Sequence, residues 1–405
     1  MYQKGFKDMM DDNKYSHRQR VVMTLNHKEP DRVPRDLGGR VSSMMESSYK
    51  ALKKYLKLDE CGYDTINGDW FTVEEFDERI LKLFDIDFRR VFLKESSEYE
   101  RVVREDGTWI DELGFTRRFT GVYGEMIDHP LRRAKDPEDI KKFKFYNAYD
   151  SARIEGLKER VQYLYNETDY AIVAAGASAG LLETCNWMRG FDQFPIDLML
   201  NKKMAHTLLD KLTTYNIELM DAFLDIVGPY IQVVEMQDDL GGQSNLLISP
   251  ELYREMIFPY YKRELDFVKS KTDAKIFHHS CGSVVKAVDL LIDAGVDILN
   301  SLQPRAAGMD TTYLKDKFGD KLSFHGGIDV QEVMPNGKPE DVENEVKRRI
   351  AIYGPGGGYI LCAAHCIQDD VPPENVVALY KAAEKWGNYP LDDEIIELRE
   401  MIPRE

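Results

Sequence analysis

Cysteine is scarce, base is outnumbered, and no long apolar run occurs; each of these shortages excludes a class of protein. The five cysteines among 405 residues are odd in number, and the first is Cys61. This does not describe a disulfide scaffold; it fits a cytoplasmic enzyme with functional or buried thiols. Lys and Arg number 54 against 71 Asp and Glu, a formal net charge of −17. Nucleic acid and anionic membrane are excluded as main partners, because both require a basic footprint. No apolar stretch approaches the roughly 18 residues that span a bilayer, and the N-terminal Met1-Tyr2-Gln3-Lys4-Gly5-Phe6 has no apolar signal core. The dinucleotide fingerprint G-x-G-x-x-G is missing, as are low-complexity segments and short repeats.

What is present is an alternation of short apolar runs with helical patterns. Candidate strands are Val33–Leu37, Phe88–Leu93, Ala171–Ala175, Ile231–Met236, Lys275–His279, Ile298–Leu302, Leu322–Phe324 and Tyr359–Ala363. Helical stretches between them include Met44–Leu56, Lys203–Leu224, Pro250–Lys271, Val284–Ala294, Pro339–Ala351 and Pro373–Lys385. Ser249-Pro250-Glu251 is a strong helix start, with a cap residue, then Pro and an acid in the first turn. Eight strands alternating with helices predict an α/β fold, a (β/α)8 TIM barrel, with an open doubly wound sheet as the rival arrangement. We expect a single domain over residues 1–405. It carries an N-terminal helical extension (about 1–30) and a β-hairpin insertion (about 99–128), marked by Asp106-Gly107 and Leu113-Gly114 turns.

A barrel of this kind carries its active site at the C-terminal ends of its strands. Five successive candidate strands end in polar groups and glycines: Glu235 through Gly242, His278 through Gly282, Asn300 through Pro304, His325 through Asp329, and His365 through Asp370. His279 and Cys281, two apart in extended chain, point to the same side. Thiolate and imidazole are zinc ligands, and a catalytic zinc keeps one position open. His365 or Cys366 would be the third ligand, and Glu235, Asp238 or Asp239 could complete the shell or serve in proton transfer. The competing reading makes the cysteines small buried hydrophobes and the histidines hydrogen-bonded core residues.

His278 points the other way from His279 and reads as structural. Cys362 lies inside an apolar run and reads as buried. Cys185 reads equally as mouth lining or packing, and Cys61 carries no case. Asp238-Asp239 also reads as a polar cap beside Gly241-Gly242. Gly326-Gly327 would permit close approach to a ligand. Gln303 and Asp329 close their strands at the same face, Arg40 is placed to meet an anionic substrate, and Trp187 could line an apolar pocket with Trp70, Phe71 and Tyr123, although aromatic core packing is the default. The glycine run Gly354 to Gly358 precedes the last strand and reads as a turn on the opposite face.

In order and spacing these segments resemble the uroporphyrinogen decarboxylase superfamily. The resemblance rests on His279-Ser280-Cys281-Gly282, Gly326-Gly327-Ile328-Asp329, His365 with Ile367-Gln368 and Pro372-Pro373-Glu374-Asn375, Leu247 through Glu251, and the entry Arg18 to Pro34 with its Asp31-Arg32-Val33-Pro34. It covers about residues 15–388. One branch decarboxylates uroporphyrinogen without metal and is recognised by Arg-Gln-Ala-Gly-Arg-Tyr. Here the corresponding stretch reads Arg35-Asp36-Leu37-Gly38-Gly39-Arg40-Val41, so only part of that motif is present. The other branch consists of zinc-dependent, corrinoid-linked methyltransferases, whose metal motif His279 and Cys281 match. There the third ligand is a cysteine; this chain has His365 at that position with Cys366 beside it. The resemblance implies a methyltransferase that exchanges a methyl group with cobalamin on a separate corrinoid protein, since the chain has no Asp-x-His-x-x-Gly loop of its own. It is most similar to O-demethylase components acting on methoxylated aromatics. A metal-free decarboxylase and a non-enzymatic corrinoid-binding barrel are the alternatives.

Overall fold

Runs such as Ala171-Ile172-Val173-Ala174-Ala175 have no polar alternation, so they suit a parallel sheet covered on both faces. The computed structural model, which describes residues 15–58, 65–121, 123–177 and 179–403, places them in that setting. Seven strands lie side by side in one curled sheet: β1 (Phe88–Phe92), β2 (Ala171–Ala175), β3 (Val233–Gln237), β4 (Lys275–His279), β5 (Ile298–Asn300), β6 (Ser323–Ile328) and β7 (Tyr359–Ala363). Every neighbour pair is parallel and follows chain order. Helices return between them, giving the (β/α)8 type of barrel.

The expected first strand, Val33–Leu37, is not a regular strand but fills the gap between β7 and β1. Leu361 N–H donates to Pro34 O at 2.9 Å, Asp36 N–H to Leu361 O at 3.0 Å, and Asp87 N–H to Arg35 O at 3.0 Å. Pro34 has no N–H to contribute, which limits the ladder. The expected helix Pro250–Lys271 is two helices, Pro250–Met256 and Phe258–Lys271, because Pro259 starts a new first turn. The insertion forms a three-stranded antiparallel sheet (Thr108–Ile110, Thr116–Phe119, Gly124–Asp128). The short pair Thr65–Asn67 and Thr72–Glu75 has too little pattern to be read from sequence. Cys61 and residues 1–14 lie outside the described residues. Among the described residues, no helix is long and apolar enough to cross a membrane.

Side-chain alternation divides the strands into two layers. Val234, Ile276, Leu299, Phe324 and Leu361 belong to the large cluster between sheet and helices. Phe88, Val173, Val233, Phe277, Ile298 and Ile360 fill the barrel's interior together with Val21 and Leu25. Those last two come from helix His17–Leu25, which begins in a capping box of Ser16 and Gln19 and plugs the N-terminal end. Continuing the same alternation upward brings Arg90, Glu235, His279, Asn300, His325 and Cys362 to the interior near the C-terminal mouth.

The plug is fastened by buried ions. The Asp87 carboxylate, fully buried, accepts from Arg20 Nη1 at 2.6 Å, Arg32 Nη1 at 2.8 Å and Arg35 N–H at 2.7 Å. Removing one partner from such a set leaves uncompensated charge inside the protein. Asp87→Ala is therefore expected to lower stability by about 3–5 kcal/mol, read as a lower denaturation midpoint. A midpoint within experimental error of the parent's would contradict this role.

Candidate metal centre

β4 ends at His279 and the chain continues, still extended, to Cys281, so both side chains face the mouth. The chain beyond β7 brings His365 to the same place. One ligand atom from each of His279, Cys281 and His365 lies within 4.8 Å of the others. Cys281 Sγ is 3.4 Å from His279 Nε2, and the two imidazole centroids are 5.6 Å apart. His279 is buried, while Cys281 and His365 remain partly exposed to the mouth.

Of the three carboxylates expected near this group, Asp239 reaches it. Its Oδ1 accepts from Cys281 N–H at 2.8 Å and lies 3.7 Å from His279 Nε2. Asp238 turns away: fully buried, it accepts from the N–H groups of Leu182 and Glu183 at 3.0 and 2.9 Å, capping helix Leu181–Arg189. Burial pushes its carboxyl up to about 7 in spite of those bonds. Glu235 faces Arg90, with Oε2 3.7 Å from Nε. Cys366 lies beside the cluster, but its Sγ is directed at Arg40 O, 3.1 Å away.

The other expected site residues are placed as follows. Gln303 Oε1 accepts from Gly282 N–H at 2.6 Å, holding the turn that follows Cys281. Asp329 accepts from Arg305 Nε at 2.6 Å and from Gln331 N–H at 2.8 Å. Gly326 and Gly327 lie within β6, which runs further than its sequence suggests. Their close approaches are to protein: a Cβ at Gly326 would sit 2.6 Å from Ser301 O, and one at Gly327 faces Arg349 and Tyr353 at 3.7 Å. His278 is buried and bonds Tyr261 Oη through Nδ1 at 2.6 Å, the supporting position its opposite facing implies. Cys185 is buried in the core. Gly357 packs on Lys28 and Gly358 on His27, so the glycine run is a turn at the end of the barrel away from the cluster.

Arg40 lies half-buried against Gly176, whose missing Cβ would otherwise meet its Nε at 2.6 Å. Its Nε has no hydrogen-bond partner among the described residues. Trp187 belongs to an aromatic wall with Trp70 (centroids 5.9 Å) and, through Trp70, Tyr123 (6.2 Å). Tyr123 comes from the insertion, and its hydroxyl accepts from Gln368 Nε2 at 2.9 Å. Burial, then Cys366, Cys281, Asp369 and Asp370, push the Tyr123 phenol up to about 12, so the insertion reaches over the mouth.

Sequence reading placed Asn300 and His325 only among the polar strand ends, without a role, and missed Glu183, Asp36 and Arg90. Glu183 is held far above the usual carboxylate range by burial and by Asp239 and Asp238. It is one helical turn before Trp187, on the same face. Asn300 Oδ1 bonds His279 Nδ1, and Asn300 Nδ2 bonds His325 Nδ1 at 2.9 Å. His325 Nε2 bonds Asp36 Oδ2 at 2.8 Å, and Asp36 is paired twice by Arg90 at 2.9 and 2.6 Å. Burial lowers His325, but Cys362 and Asp36 outweigh it and push the ring up to about 10. Cys362 Sγ lies 3.3 Å from Nδ1, and the Asn300 donor at that same nitrogen argues for a ring protonated on Nε2 alone.

The electrostatics of the cluster suit a cation. Burial and the neighbouring His279 hold His365 down at about 4, so its ring is neutral at pH 7. Burial, then Asp239 and Glu183, raise the Cys281 thiol well above its ordinary range. A bound cation would reverse that shift, because a coordinating thiol is deprotonated. Two imidazoles, one thiol and a nearby carboxylate are a zinc-type donor set with room for a further ligand.

Comparison with known proteins agrees with the fold and with the family resemblance. Residues 110–386 match the family described as uroporphyrinogen decarboxylase (URO-D). A uroporphyrinogen decarboxylase of Alkalilimnicola ehrlichii is 24% identical over 290 residues, covering 68% of this chain and 73% of that protein. A methylated-thiol–coenzyme M methyltransferase of Methanosarcina mazei is 24% identical over 284 residues, covering 69% of this chain and 62% of its own. Among solved structures, a methyltransferase from Methanosarcina mazei superposes with a TM-score of 0.57 at 18% identity, over 92% of this chain and 99% of its own.

The cluster predicts that Cys281→Ala loses metal while Cys366→Ala keeps it. Elemental analysis of purified protein should give about one zinc per chain for the parent and for Cys366→Ala, and far less for Cys281→Ala and His365→Ala. Retention of metal by Cys281→Ala would contradict the assignment.

Proposed function

Because the chain belongs to the uroporphyrinogen decarboxylase family, we propose that it is the methyltransferase type of member: a zinc-dependent enzyme that moves a methyl group between a small substrate and the cobalt of a separate corrinoid protein. The observation that carries this reading is the His279, Cys281 and His365 group at the mouth, which a metal-free decarboxylase does not need. The match to a methyltransferase across 69% of the chain supports it.

In this proposal His279, Cys281 and His365 hold the metal, and Asp239 faces the remaining side. Zinc there would supply Lewis acidity, polarising an ether oxygen or lowering the pKa of a bound thiol. The corrinoid would supply the cobalt that takes or gives the methyl group. Asp239 and the Gln303 contact to Gly282 keep the Cys281 turn in place. Glu183, its carboxyl pushed well up by burial and by Asp239 and Asp238, is the proposed proton donor for a leaving oxygen.

Methoxylated aromatic ethers are the proposed substrates. The aromatic wall of Trp70, Tyr123 and Trp187 supports this, since such faces bind a flat ring by offset or edge contacts. Arg40, half-buried and without an acid partner among the described residues, would pair with an anionic substituent.

Zinc-loaded protein mixed with free cob(I)alamin and methoxybenzoates should develop the absorbance of methylcobalamin, and chelation of the metal should abolish it. Trp187→Ala should raise KM about tenfold, or ~1.4 kcal/mol, the order expected of one aromatic contact. No spectral change across a panel of methoxyaromatics and methylated thiols would contradict the proposal, and decarboxylation by metal-free protein would replace it.

A further inference from the structure

A backbone carbonyl fixes the chemistry of one edge of the cluster. Asn300 Nδ2 lies 3.2 Å from His325 O and 2.9 Å from His325 Nδ1, while Oδ1 bonds His279 Nδ1. A carbonyl oxygen only accepts, so the amide atom facing His325 O must be the nitrogen. The amide oxygen is then committed to His279, and an oxygen can only accept there too. His279 must therefore carry its proton on Nδ1, which leaves the Nε2 lone pair directed at Cys281 and His365. The same logic runs the other way. The second amide proton meets His325 Nδ1, so His325 carries its proton on Nε2 and donates it to Asp36, itself clamped by Arg90.

We infer that Asn300 is a positioning residue that sets the tautomer of His279, and that the carbonyl of His325 sets Asn300. The surroundings leave the amide little freedom. Asn300, His279 and His325 are all buried. Gly326 adopts a positive φ of 109°, and a Cβ there would crowd Asn300 Nδ2 at 3.3 Å, so a side chain at this position would displace the amide. Asn300 and His279 are register partners on adjacent strands, so the contact is built into the sheet. Cys362 and His325, although arranged with Asp36 like a thiol, base and acid, are buried and form the floor of this array.

The inference rests on the metal reading for its purpose, but not for its test. In metal-free protein labelled with ¹⁵N-histidine, long-range ¹H–¹⁵N spectra report which ring nitrogen carries the proton. His279 is expected as the Nδ1–H form and His325 as the neutral Nε2–H form. Asn300→Leu, of similar size, should lose the His279 preference and bind zinc about 10–100-fold more weakly. Asn300→Asp, which keeps an acceptor at His279 but sets an oxygen against His325 O, should retain the Nδ1–H form of His279 while lowering stability. Metal-free His279 found as the Nε2–H form overturns the inference, as does a folded Asn300→Leu protein with parental zinc affinity. Parent protein that binds no zinc yet has the Nδ1–H form would overturn the metal reading and leave the positioning role standing. If Asn300→Leu fails to fold, the tautomer in the parent still decides.

Discussion

A buried charge or hydrogen-bonding group must be paired, and the upper interior of this barrel is filled with such groups. Leaving one of them unpartnered costs several kcal/mol. Asp36, Arg90, His325, Asn300 and His279 meet that requirement by forming one continuous array, from the segment that closes the barrel to the edge of the candidate metal centre. The closing segment is thus more than a seam. By supplying Asp36 it neutralises Arg90 and orients His325, and through them the ligand edge of β4. The lower interior is apolar and stoppered by Val21 and Leu25, so the two ends of the barrel divide stability from chemistry.

Above that array the site has a graded environment. The thiol of Cys281 is pushed up and the imidazole of His365 pushed down, so both groups favour their neutral forms. Carboxylates stand just outside, with Asp239 beside the cluster and Glu183 facing Asp239 from the helix that Asp238 caps. The aromatic wall adds an apolar face, and one of its members comes from the insertion. The hydrogen bond between Tyr123 and Gln368 ties that insertion to the loop that follows His365, so the aromatic wall and the His365 side of the cluster share a support.

Much of this was legible in the sequence, and the parts that were not have identifiable causes. The ranges of β2, β4 and β7 were readable because short apolar runs ending in glycine or ligand-type residues have few other uses. The opposite facing of His278 and His279 follows from strand geometry alone. Gly326 and Gly327 were misplaced because β6 continues through them; glycine weakens the strand signal although parallel neighbours carry the ladder across it. Asp238 and Asp239 are adjacent in sequence but diverge in role, since one meets a helix N-terminus and the other meets Cys281. Only the fold brings those partners. Asn300, Asp36, Arg90 and Glu183 have no local motif, and their importance lies entirely in what packs against them.

The central claim is that one sulfur and two imidazole nitrogens hold one metal ion, with His365 and not Cys366 as the group supplied after β7. X-ray absorption at the zinc edge of metal-loaded protein tests it most directly. The account predicts a first shell with one sulfur at about 2.3 Å and two imidazole nitrogens at about 2.0–2.1 Å, with the remainder light oxygen or nitrogen. Two sulfurs in that shell would bring Cys366 into the site and contradict the account, as would a shell with no sulfur at all.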